Sequence, residues 1–116
     1  MKHTIKAVTI RDLNYSKSKV PVSIPKGTEI DLYFKEDNNV RAFFMYQGIE
    51  RPLIISFLHL SVKGKAMLFR KCPSAKSLAR MSDEEGVCTT VTGARVEPDG
   101  RDLYGAPSWL LVLGLI

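Results

Sequence analysis

The chain has 116 residues, 45% hydrophobic and 25% charged, with a formal net charge of +5; that length suits one hydrophobic core and excludes two ordinary ones. The composition excludes a disordered or fibrous chain. The apolar run from Trp109 to Ile116 is far short of the ~20 residues of a membrane helix, and MKHTIKAVTI shows no apolar h-region before a cleavage site, so a cytoplasmic setting is expected.

HTIKAVTI has β-branched residues at strand density, with Ile5, Ala7 and Thr9 on one side and Lys6, Val8 and Ile10 on the other. Asn14 to Lys19 reads as a polar loop, VPVSI as a short edge strand because Pro21 cannot donate to a ladder, and IPKGT as a turn. TEIDLYFKEDNNVRAFFMYQG reads as a β-hairpin. In it Ile30, Leu32 and Phe34 alternate with Asp31, Tyr33 and Lys35, residues 36–39 turn, and Val40, Ala42, Phe44 and Tyr46 alternate with Arg41, Phe43, Met45 and Gln47. Gly48 and Pro52 bracket another turn, PLIISFLHLSV is long enough for a strand with a continuation, and Lys63-Gly64-Lys65 turns the chain into AMLFR. Five or six strands are expected by residue 71.

In SAKSLARM, Ala75, Leu78, Ala79 and Met81 share one face at helical spacing, which predicts a helix near residues 74–83 that Gly86 ends. VCTTV reads as a strand and GARVEPDG as a turn, and Ser108 is placed to cap a last turn or two of helix through Leu113. An apolar segment after a polar loop is expected to return to the core, with Trp109, Leu110 and Leu113 closing an otherwise open sheet. The competing reading is an exposed patch that docks on a partner or a second copy. The expected architecture is α+β, a single domain over 1–116: a mainly antiparallel curved sheet or small SH3-like barrel, β-rich through residue 71, then helix, strand, turn and apolar closing segment over 72–116. PKGTEIDLYF and the hairpin after it carry the likeness to an SH3-like barrel.

Charge is unevenly spread: residues 1–82 hold fifteen Lys and Arg against six Asp and Glu, a net +9, and residues 83–116 hold two against six, a net −4. No acid lies between Arg51 and Ser82, a stretch that contains Lys63, Lys65, Arg70, Lys71, Lys76 and Arg80. Such a block attracts phosphates or an acidic protein face. Tyr33, Phe43 and Tyr46 beside Arg41 and Lys35 form a candidate aromatic and cationic face, the mixture that stacks bases and follows a nucleic-acid backbone. The same aromatics also fit the second buried face of a sandwich or barrel.

No catalytic constellation emerges, and the expectation is a protein that is not an enzyme and needs no cofactor. His59 sits in the apolar run Phe57-Leu58-His59-Leu60, where a partly buried strand histidine explains it better than a general base, and His3 has no candidate partner. Cys72 and Cys88 stand in no C-x-x-C pair, so no zinc site is expected, and although the two could pair, in a reducing compartment two buried thiols are the commoner finding. Ser74, Ser77 and Ser82 lack a nucleophile-elbow context, and the glycines form no phosphate cradle. Glu97, Asp99 and Asp102 beside Arg95 and Arg101 read as a solvated turn.

The residues Thr90, Gly93, Val96-Glu97-Pro98-Asp99-Gly100, Gly105, Pro107-Ser108-Trp109-Leu110 and Leu113-Gly114-Leu115-Ile116 form a closing pattern over about the last quarter of the chain. It resembles the C-terminus of small accessory proteins of tailed bacteriophages. The resemblance implies a phage origin and a host-cytoplasm setting. Together with the residue readings it leads to a protein that binds, and inhibits or redirects, a host or defence protein. The alternatives are nucleic-acid binding through the basic block of residues 63–80, and small-ligand (nucleotide) binding at a sheet mouth lined by Tyr and Arg. A homo-oligomer is compatible with any of the three, and a membrane partner is not expected.

Overall fold

Residues alternating at period two place one set of side chains on each face of a strand, and this decides the central sheet. The computed structural model describes residues 4–57, 60–62 and 72–116. In chain order the elements are β1 (Ile5–Thr9), β2 (Leu13–Asn14), β3 (Ser23–Ile24), β4 (Glu29–Phe34), β5 (Arg41–Tyr46), β6 (Ile49–Ile54), β7 (Leu60–Val62), α1 (Ala75–Arg80), β8 (Cys88–Thr89), β9 (Arg95–Val96) and α2 (Trp109–Val112). The main sheet has five strands in the order β6-β5-β4-β1-β7, all paired antiparallel. Ile5, Ala7, Ile30, Leu32, Phe34, Ala42 and Phe44 turn to its inner face. They join Leu78, Cys88, Val91, Ala106, Trp109, Leu110 and Val112 in one buried cluster, so the C-terminal third closes the sheet.

The β4–β5 hairpin forms as the alternation predicts, with Tyr33 opposite Phe43 and Phe34 opposite Ala42. The β5–β6 turn runs through Gln47 (φ 51°) and Gly48 (φ 78°) between the paired Tyr46 and Ile49. Two consecutive positive φ values match the right-handed twist of the strands that the turn joins, and glycine is the residue that adopts one without strain.

Several expectations are corrected. Pro52 does not turn the chain: it lies within β6, opposite Phe43, and is tolerated because β6 is an edge strand with no partner on its other side among the described residues. PLIISFLHLSV does hold a strand and a continuation, since Ile55–Phe57 form a 3₁₀ turn after β6 and before β7. The Ile55 amide there donates to the Val40 carbonyl at 2.9 Å, and the side chain is 1% exposed. Asn14 belongs to β2 rather than to the loop, and it pairs with Ser23 in a separate two-stranded sheet. GARVEPDG is more than a turn: Arg95–Val96 form β9 against β8, closed by the Gly93 amide donating to the Thr90 carbonyl at 2.9 Å. The main sheet is open, with β6 and β7 at its edges and no ladder between them among the described residues, so the SH3-like barrel is not formed. The Lys63-Gly64-Lys65 turn and the AMLFR strand lie outside the described residues.

The helix after Pro73 starts where expected. The Ser74 hydroxyl accepts from the Ser77 amide at 3.2 Å, which caps α1. The helix then widens into a π turn over Met81–Glu85 and ends at Gly86 in the left-handed region (φ 64°). Ser108 caps α2 in the same way, its hydroxyl accepting from the Leu111 amide at 3.2 Å.

Candidate functional site

On the outer face of the sheet, Tyr33 from β4, Arg41, Phe43 and Met45 from β5, and Glu50, Pro52 and Ile54 from β6 lie side by side, because the register sets Arg41 against Ile54, Phe43 against Pro52 and Met45 against Glu50. Met45 is 53% exposed and Ile54 44% exposed, large apolar side chains open to water on adjacent strands. Between them Tyr33 and Phe43 hold their rings 6.2 Å apart and tilted. The Lys35 ammonium lies 4.2 Å from the centre of the Phe43 ring and pairs with Glu50 Oε1 at 2.5 Å. The Tyr33 hydroxyl donates to Glu50 Oε2. The Tyr33 phenol is pushed up to about 12, first by burial and then by this hydrogen bond and the charge of Glu50.

This is the aromatic face read from the sequence, with two changes. Tyr46 is not part of it: it alternates with Met45 and packs against the buried cluster on the inner face. Phe43 is only 8% exposed and sits beneath Lys35, so its ring offers no open platform for a base. Arg41 is exposed beside Ile54. The face therefore presents apolar surface with a charged rim more than a stacking surface.

The basic block divides. Lys63, Lys65, Arg70 and Lys71 lie outside the described residues. Lys76 and Arg80 are exposed on α1, where Asp83 and Glu84 share a surface depression with them, and Arg80 Nε lies 3.8 Å from Glu85. His3 and His59 also lie outside the described residues.

The closing segment splits between both of its readings. Trp109 and Leu110 are 1% and 3% exposed and complete the core, whereas Leu113 is 39% exposed and does not. Leu113 and Leu115 instead line a cleft of about 470 Å³ with Leu78, Ala79 and Leu110. Just upstream, Glu97 and Asp99 are exposed as a solvated turn requires, but Asp102 is the centre of a hydrogen-bonded hub. Asp102 accepts from the Thr90 hydroxyl at 2.7 Å, the Thr92 hydroxyl at 2.5 Å, and the Tyr104 and Ala106 amides at 2.9 Å. Arg101 pairs with no carboxylate among the described residues and donates to the carbonyls of Lys35, Glu36 and Gly105 and to Asn39 Oδ1. It thereby ties this hub to the hairpin turn. Arg95 reaches Glu85 at 3.6 Å rather than the neighbouring acids. The residues of the closing pattern thus build local structure: Ser108 Oγ donates to the Pro98 carbonyl, and its amide donates to the Gly100 carbonyl at 3.0 Å.

Sequence reasoning missed Arg51, treated there only as the start of the acid-free stretch. It is 3% exposed on the inner side of β6, and its partners come from a loop more than thirty residues away, which no local pattern announces. Cys72 and Cys88 are free thiols, and burial pushes the Cys72 thiol up. Among the described residues no group of His, Cys, Asp and Glu is arranged to hold a metal ion, and no helix is long and apolar enough to cross a membrane. No protein-family model matches the chain, and no curated protein or solved structure matches it significantly.

Proposed function

We propose that the protein is a binding module that engages another protein through the outer face of the β4–β5–β6 sheet. The observation that carries this is the pair of exposed apolar side chains, Met45 and Ile54, on either side of a Tyr33–Phe43 cluster that Lys35 and Glu50 hold rigid. Methionine and aromatic side chains are over-represented at protein interfaces, and methionine adapts its shape to a partner. The complementary surface is apolar with a carboxylate to meet Arg41. The phage-like closing pattern supports a host or defence protein in the host cytoplasm as the partner, bound without chemistry.

The test uses the intact protein as bait in host lysate, with and without nuclease, at low and moderate salt, beside the double variant Met45→Asp/Ile54→Asp. The expected result is a protein that survives nuclease and moderate salt and is lost in the double variant, whose circular dichroism and melting temperature stay as in the parent. Retention by the double variant would overturn the proposal. So would recovery only of nucleic acid that falls away as salt rises, the signature of phosphate contacts.

A further inference from the structure

A buried cation needs compensation, and Arg51 has none from an acid. Removing a guanidinium from water costs several kcal/mol unless an anion or a full set of hydrogen bonds repays it. Arg51 is 3% exposed, and its two hydrogen bonds go to neutral oxygens: Nη1 to the Ser18 hydroxyl at 3.0 Å and Nη2 to the Val20 carbonyl at 2.7 Å. Its Nε is buried with no hydrogen-bond partner. The guanidinium lies 5.4 Å from the centre of the Tyr15 ring, whose hydroxyl donates to the Pro52 carbonyl at 2.7 Å, so the loop after β2 is fastened over β6 from both sides. Glu50, next in sequence, does not answer the charge: it alternates to the outer face and is engaged by Lys35 and Tyr33.

This cation lines a cleft of about 550 Å³, together with Tyr15, Ser16, Lys17, Ser18, Pro52 and Glu50, whose carboxylate is engaged by Lys35 and Tyr33. That volume lies within the usual range for small-molecule sites. The cleft combines a buried guanidinium, a second cation in Lys17, and the serine hydroxyls of Ser16 and Ser18, the donor set that recognises a phosphate. The Tyr15 and Pro52 side chains supply an apolar wall beside those donors.

We propose that this cleft is an anion site for a phosphate monoester carried on a small organic group, with Arg51 supplying the buried charge and the Tyr15–Ser18 loop the rim. The cleft shares Glu50 and Pro52 with the protein-binding face but neither Met45 nor Ile54, so the Met45→Asp/Ile54→Asp variant tests that face while leaving the residues of the cleft in place. An anion in the cleft neutralises the uncompensated cation and thereby stabilises the fold. Without it, Arg51 is a net cost that an apolar side chain of similar length would not carry.

The probes are inorganic phosphate, adenosine monophosphate and adenosine, titrated into the full-length protein at low ionic strength with chloride-matched controls. Amide chemical shifts and melting temperature are the readouts. Phosphate and adenosine monophosphate are expected to raise the melting temperature above the chloride control and to shift the amides of Ser16, Lys17, Ser18 and Arg51. Adenosine is expected to do neither. In Arg51→Met the protein should melt no lower than the parent, while affinity for adenosine monophosphate falls by about tenfold or more, the loss expected of a charge-assisted contact. Should Arg51→Met fail to fold, the exposed Lys17→Ala and Ser18→Ala variants carry the test, each expected to weaken binding by about threefold or more. Equal effects of phosphate and matched chloride, equal binding of adenosine, or undiminished affinity in the variants would overturn the proposal.

Discussion

Ending the chain after Ser108 removes α2 and the residues beyond it, and with them Trp109, Leu110 and Val112, which are 1%, 3% and 6% exposed. A fully buried side chain of this size contributes ~1.5–3 kcal/mol, so the three together contribute about 5–9 kcal/mol. The whole stability of a small domain is about 5–15 kcal/mol, so the truncated chain is expected to be unfolded. Ending it after Leu113 should be tolerated. That change removes Leu115 and Ile116, 58% and 57% exposed, and two hydrogen bonds that finish α2, donated by the Gly114 amide to the Leu111 carbonyl at 3.2 Å and by the Leu115 amide to the Leu110 carbonyl at 2.9 Å. Its cost should be about 1 kcal/mol. Trp109→Ala lies between, at about 3–5 kcal/mol, toward the lower end because the indole Nε1 has no hydrogen-bond partner to lose. Urea unfolding followed by far-ultraviolet circular dichroism measures all three, since two of them lack the one tryptophan. A cooperative transition in the 1–108 chain at a midpoint close to that of the full-length protein would refute the reasoning, and the closing segment would then be an interface rather than part of the core.

Arg101→Ala frees the hairpin turn from the C-terminal hub and should cost about 2–3 kcal/mol in urea unfolding, since several charge-assisted donors are lost together. Asp102→Ala leaves the amides of Tyr104 and Ala106 without their acceptor and the buried Thr90 hydroxyl with Thr92 as its remaining side-chain partner, and should lower stability by about 2–4 kcal/mol. Following phenolate absorbance with pH should show Tyr33 titrating near 12, against an ordinary value of 10.0, and Tyr33→Phe should remove that phase. A raised folded value means that the native state holds this proton more tightly. The stabilisation it brings is therefore complete below pH 10.0 and lost as pH rises toward 12. Glu50→Gln should bring the titration part of the way down, because burial, the larger cause, persists.

Features that depend on residues close in the chain are legible before any packing is considered. Period-two alternation set β1, β4 and β5 and the two sets of side chains on each, and Ser108 announced its helix because a cap bonds only three residues ahead. The burial of Trp109 followed from apolar density alone. Tertiary structure decided what depends on distant partners. Pro52 became a strand residue because β5 supplies a ladder on one side only, whereas the place of Tyr46 on the opposite face from Phe43 was already set by their parity in the chain. Asp102, Arg101 and Arg51 looked like surface charges by type. Each is held by groups brought together only when the sheet, the loops and the closing segment pack: Thr90 with Asp102, Lys35 with Arg101, Ser18 with Arg51. A charged side chain's role is set by which partners replace its water, and the partners that join separate parts of the fold here lie ten to more than sixty residues away in the chain, beyond the reach of any local pattern.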